Sequence, residues 1–302
     1  MRVIPIRRAA ALAALCASFA LAACGSNASS ASATPTPNDG RIPVVTTFST
    51  LNSFVEGVGG NRVRVTNLVP IGASPETYQP TPQDVAQLSQ ARIIFENGAG
   101  LEAWLDRTLH DAAAKDALVV IGSDELPVKN LNPHLWMDPE YAQVYVEKIR
   151  DALVTVDPAH AAEYRANASA YNTKLTALEI SIRKQIATIP PQKRVMIVQH
   201  NAWQYYNDRF GIKTLGIIEV NPGQEPNPQD LAHLVDLANQ YHVTAIFSEP
   251  EYSPKLAQAL AGSAHISIVD NLYDDSIGTN PKVHDYISML QYDTGEIVKA
   301  LK

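Results

Sequence analysis

Eight short runs rich in β-branched and other apolar residues, spaced between helix-like stretches, constrain this chain more than any other feature. The runs fall at 42–47, 62–69, 92–95 and 118–121 in the first half, and at 194–198, 214–218, 244–247 and 266–269 in the second. Segments 82–90 and 229–241, among others, carry helical patterns between them. Apolar runs unbroken by polar alternation predict parallel strands buried on both faces. Strands alternating with helices then make an α/β fold. The middle differs: from Pro139 to about Ile189 there is no strand pattern, only helical periodicity broken at Asp157-Pro158. Tyr164, Tyr171, Leu175 and Leu178 form an apolar stripe on one helix face there. The expected architecture is two α/β lobes with parallel sheets, 41–138 and 191–302, joined by a long helical spine, 139–190. No internal repeat occurs at solenoid periods.

The N-terminus reads differently from the body. Arg2, Arg7 and Arg8 precede a 15-residue run, 9–23, that is apolar or small throughout. That is a charged n-region and an h-region, shorter than the roughly 20 residues of a spanning helix, so 1–23 is expected to be a signal peptide. Leu21-Ala22-Ala23-Cys24-Gly25 resembles the bacterial lipobox, which implies cleavage before Cys24 and lipidation of its thiol. Residues 25–40 are small and polar with one charge, Asp39. With Cys24 they make a flexible tether, averaging about 20–25 Å end to end.

Processing changes the chemistry available. The chain has two cysteines and a net charge of -7. Losing three arginines and no acid leaves 21 bases against 31 acids, a charge of -10. Cys16 departs with the signal peptide and Cys24 would carry lipid, so a bound metal must be held by His, Asp and Glu. The acidic balance argues against a nucleic-acid partner.

In open α/β sheets ligands collect beyond the carboxyl ends of the strands, and that rule sorts the eight histidines. His200 lies two residues past Val198, at the end of an apolar run. His134 sits in a loop before Asp138-Pro139, a helix N-cap followed by Pro at the first helical position. His110, His160, His233 and His242 fall within or at the ends of helical patterns, His265 at the start of a strand, and His284 in the C-terminal segment. Those six read as surface or packing histidines. The same rule nominates Glu76, Asp275 and, as a competitor, Glu249. Two His with two carboxylates satisfy a first-row divalent cation.

From Val44 onward the chain resembles the zinc/manganese-binding lipoproteins of ABC importers, the TroA/ZnuA-like family. The resemblance rests on Gly72-Ala73-Ser74-Pro75-Glu76-Thr77-Tyr78-Gln79-Pro80-Thr81-Pro82 and on Asn97-Gly98-Ala99-Gly100-Leu101-Glu102-Ala103-Trp104. It continues through Asn132-Pro133-His134-Leu135-Trp136-Met137-Asp138-Pro139 and Gln199-His200-Asn201-Ala202-Trp203-Gln204-Tyr205-Tyr206. Ile246-Phe247-Ser248-Glu249-Pro250 and Leu272-Tyr273-Asp274-Asp275-Ser276-Ile277 complete it. It implies one metal ligand from each of four loops, in the interlobe cleft: Glu76, His134, His200 and Asp275. Position 76 departs from the family pattern, which has His in this Pro-x-x-Tyr context. Glu249 would fall in a structural Glu-Pro motif. The long His- and Asp-rich loop of many zinc specialists is absent, since 122–133 is short and holds no His.

The function so implied is that of a monomeric extracytoplasmic binding lipoprotein, at the periplasm or cell surface. It would be anchored to the membrane through Cys24, carry one Zn²⁺ or Mn²⁺ as cargo, and serve a permease with its ATPase. It would not be an enzyme. Two other readings are a metal-dependent hydrolase using Glu76 as general base and an adhesin or envelope protein with a vestigial site. No zincin helix or nucleophile elbow supports the hydrolase.

Overall fold

The computed structural model describes residues 39–105, 112–220, 223–278 and 280–302. The expected signal peptide, Cys24, the expected tether as far as residue 38, and His110 lie outside the described residues.

All eight expected strands form, with ends within a residue or two of the sequence pattern and β4 coinciding with it. In the first half they are β1 (Ile42–Thr46), β2 (Val63–Asn67), β3 (Ile93–Glu96) and β4 (Leu118–Ile121). In the second they are β5 (Val195–Val198), β6 (Lys213–Ile217), β7 (Ala245–Phe247) and β8 (Ser267–Val269). Apolar continuity overshoots the ladder because it persists where pairing stops: Leu68 and Val69 lie past β2 but still donate to the carbonyls of Thr46 and Thr47. His265, expected to open a strand, instead closes the preceding helix in the left-handed region at φ 56, and the strand starts at Ser267.

Every pairing is parallel, in two four-stranded sheets ordered β2-β1-β3-β4 and β6-β5-β7-β8. The two halves thus repeat one topology. In each, the chain leaves the founding strand to one side and then crosses to the other. That reversal opens a crevice at the carboxyl ends of β1 and β3, and again at those of β5 and β7.

The described helices are α1 (Ser49–Gly59), α2 (Pro82–Leu88), α3 (Pro139–Val156), α4 (Ala161–Ile186), α5 (Gln204–Phe210), α6 (Pro228–Gln240), α7 (Lys255–Ala264) and α8 (Tyr286–Leu301). The spine is α3 and α4, broken at Asp157-Pro158 because proline lacks the N–H that would continue α3. Asp138 caps α3 by accepting from Glu140 N, with Pro139 at the first helical position. On α4 the buried stripe is Tyr164, Ala168, Tyr171, Leu175, Leu178, Ile182 and Ile186. One apolar core runs through both halves, joining Phe48, Trp136, Tyr145, Tyr164, Trp203, Phe247 and Tyr286. A core shared in this way holds the two sheets in register with the spine.

Candidate metal centre

The loops beyond the two sets of carboxyl ends meet in the cleft, each carrying one nominated residue. Glu76 lies on the loop after β2, His134 after β4, His200 directly after β5 and Asp275 after β8. Cross-ties hold them together. Gly72 N, on the Glu76 loop, donates to Ser276 Oγ at 2.9 Å, and Ser74 Oγ donates to Asp275 Oδ2 at 3.4 Å. Trp136 Nε1, two residues past His134, donates to the Asp274 carbonyl at 2.9 Å. The Trp104 indole holds the Pro75 carbonyl at 2.7 Å, beside Glu76.

These ties place one ligand atom from each of Glu76, His134, His200 and Asp275 within 4.8 Å of all the others. His134 Nε2 is 3.3 Å from Asp275 Oδ1, and His200 Nε2 is 3.9 Å from Asp275 Oδ2. Donors about 2.1 Å from a tetrahedral ion stand roughly 3.4 Å apart, so this arrangement needs only a small contraction to enclose one. Glu76 is half-buried and the other three are fully buried. Glu76 Oε2, His134 Nε2, His200 Nε2 and Asp275 Oδ1 are all buried without a hydrogen-bond partner. Buried polar atoms left unpaired are costly and rare, and here four converge on one point.

The far nitrogen of each imidazole is occupied. His134 Nδ1 lies 2.9 Å from Asn132 Oδ1, and His200 Nδ1 lies 3.4 Å from Glu249 Oε2 and 3.9 Å from Asp274 Oδ2. In the neutral ring an acceptor at Nδ1 keeps the proton there and leaves the Nε2 lone pair for a metal, the usual outer support of a metal-bound histidine. Glu249 also accepts from Trp203 Nε1 at 3.0 Å, which fixes its carboxylate.

The cleft is more acidic than the four nominated residues suggest. Glu249 and Asp274 are fully buried, and Glu251 Oε2 and Tyr252 Oη are buried without hydrogen-bond partners. The Tyr252 ring packs on His200, centroids 4.8 Å apart. Burial pushes the Glu76 carboxyl up against the pull of His134 and His200. At His200 burial works against the proton, but the charges of Asp274 and Glu249 outweigh it and hold the imidazole well above its usual range. Burial and the Asp275 charge drive Glu251 up to about 8. Burial, reinforced by Glu249, also raises Asp274. For Asp275 burial is overcome by the adjacent His134 imidazole, which holds it low. With no ion bound, the cleft therefore stores protons that a cation would displace.

Among the described residues, the histidines read as surface or packing residues stay outside this cluster. His160 pairs with Asp157 at 2.6 Å, and His233, His242, His265 and His284 are exposed. Glu249 is expected from the sequence only as a rival ligand, and Asn132, Asp274, Glu251 and Tyr252 are not expected at the site at all. Asn132 and Asp274 lie inside the motif stretches that carry the resemblance, and Glu251 lies two residues past Glu249.

The fold and its cleft have counterparts. The family described as "Zinc-uptake complex component A periplasmic" matches residues 44–300. The chain is 34% identical over 274 residues to the manganese-binding lipoprotein MntA of Halalkalibacterium halodurans, covering 89% of this chain and 91% of that protein. It is 32% identical over 303 residues to the iron-binding protein YfeA of Yersinia pestis, covering 98% and 96%. The periplasmic zinc-binding protein TroA from Treponema pallidum superposes with a TM-score of 0.81 at 26% identity, over 87% of this chain and 99% of that one.

Proposed function

The chain belongs to the zinc-uptake complex component A family of periplasmic proteins, and we propose that it captures one divalent transition-metal ion outside the cytoplasm for an ABC importer. Its partners are the membrane permease and the ATPase that powers it. The chain is a binding protein and not an enzyme, as the family and the metal-binding relatives named above show. The ligands we assign are Glu76, His134, His200 and Asp275. The observation that carries this assignment is the convergence of four buried, unpartnered ligand atoms on one point. Glu76 then serves as a fourth ligand, replacing a histidine with an anionic oxygen. A signal peptide over 1–23 would direct export and be cleaved off, and lipid on Cys24, with 25–40 as tether, would hold the monomeric body at the outer face of the membrane.

Similar proteins are named for manganese, iron and zinc, so the metal is argued from the donors. Two nitrogens and two carboxylates suit any of these ions, and carboxylates that chelate through both oxygens suit manganese or iron. At a given N/O site the Irving–Williams order still favours zinc over manganese. Competitive titration of the metal-free protein is expected to give tighter Zn²⁺ than Mn²⁺, at one ion per chain; tighter Mn²⁺ would contradict the ordering. Physiological cargo also depends on which metal is available. The anchor has its own check: Cys24→Ser should move the protein from the membrane to the soluble fraction.

A further inference from the structure

Asn132 is 3% exposed and makes contacts on both sides of the cleft. Its Oδ1 accepts from the backbone N–H of His134 at 2.9 Å and faces the His134 ring Nδ1, also at 2.9 Å. A backbone N–H can only donate, so the atom at that point is the amide oxygen, and the ring nitrogen opposite it must carry a proton. The other end of the same amide, Nδ2, donates to the carbonyl of Asn201, the residue after His200, at 2.5 Å.

The backbone that delivers Asn132 is strained. Asn130 and Leu131 stand consecutively in the left-handed region, at φ 53 and 59. That conformation is unfavourable for a leucine. Leu131 is 87% exposed, so the strain is not offset by burying its side chain. The turn is held from below, where Tyr205 Oη donates to the Asn132 carbonyl at 2.9 Å and accepts from Lys129 N at 2.8 Å. Strain maintained by surrounding contacts marks a placement that the fold enforces.

We propose that Asn132 is a positioning residue for metal capture: its amide keeps the His134 proton on Nδ1, so that Nε2 faces the metal bare, and ties the His134 loop to the His200 loop. The inference rests on the metal-binding reading above. The test is nitrogen NMR of the ¹⁵N-histidine-labelled full-length protein, metal-free and in mildly alkaline buffer, which distinguishes Nδ1–H from Nε2–H, paired with Zn²⁺ titration. Asp275 Oδ1, 3.3 Å from Nε2, competes for the same proton, and wild type is expected to show the neutral His134 ring protonated predominantly on Nδ1. Asn132→Ala removes both contacts; His134 should become a mixture of tautomers, and Zn²⁺ affinity should fall by about 10–100-fold. Asn132→Asp keeps the acceptor and loses the donor to Asn201, so Nδ1 should stay protonated while Zn²⁺ dissociates faster than from wild type. An Asn132→Ala protein that keeps His134 on Nδ1, or that binds Zn²⁺ within about twofold of wild type, overturns the proposal. If Asn132→Ala does not fold, Asn132→Asp decides: Nδ1–H supports the assignment and Nε2–H overturns it. A wild type that binds no Zn²⁺ defeats the metal-binding reading, while the tautomer measurement still judges Asn132.

Discussion

His200 turns one ring nitrogen into the cleft and the other toward Glu249 and Asp274. Removing the ring would delete a proposed ligand and leave two buried carboxylates, Glu249 and Asp274, without their imidazole neighbour. His200→Ala is expected to lose more affinity than the roughly 10–100-fold typical of an outer-support change, measured by Zn²⁺ titration. Glu76 discriminates between the candidate functions. If it ligates, Glu76→Ala weakens binding, whereas Glu76→His, restoring the commoner family residue, keeps it. Unchanged affinity in Glu76→Ala would mean a three-residue or decayed site. Position after a strand end brought Glu76, His200 and Asp275 into view but Glu249 with them, and the set of four was legible only through the loop motifs of the family resemblance. Asn132, Asp274 and Tyr252 were not, because their effect depends on where a side chain points across the cleft. Asp274 differs from Asp275 by one residue, and only the fold shows that the first faces His200 Nδ1 while the second faces both Nε2 atoms.

At the level of elements, the spine was the easiest part to read and the sheet order the hardest. Tyr164, Tyr171, Leu175 and Leu178 share a face by helical arithmetic alone, and all four are buried. Strand order arises from crossovers between segments far apart in sequence, so the repeated topology of the two sheets left no local pattern. Leu175 is fully buried in the core shared by both halves. Leu175→Ala should therefore cost about 2–5 kcal/mol of stability by loss of apolar contact and the cavity it leaves, read by denaturant unfolding, while the folded fraction still binds metal. Asp138 combines two contacts, capping α3 through Glu140 N and pairing with Arg209 at 2.9 Å. Loss of the cap in Asp138→Ala costs about 1 kcal/mol, and the half-buried Arg209 loses a partner as well.

Across the whole molecule, the metal-free and metal-bound forms should respond to pH in opposite ways. His200 is held above its usual range, and Glu251 rises from 4.5 to about 8. A raised native pKa means that the folded protein binds more protons than the unfolded chain between those limits, so stability falls as pH rises through them. Asp275, held low, acts the other way, but only in acid. The metal-free melting temperature is thus expected to decline from the carboxylate range toward pH of about 8. Metal affinity should rise over the same interval, because the ion displaces these protons. Flat affinity across the histidine range would count against histidine ligation. The most direct test of the account is a crystal structure of the zinc-loaded protein with the ion located by anomalous scattering. One ion bound by Glu76, His134, His200 and Asp275 is the expected result. An ion seated instead among His200 Nδ1, Glu249 and Asp274, or none in the cleft, would contradict it.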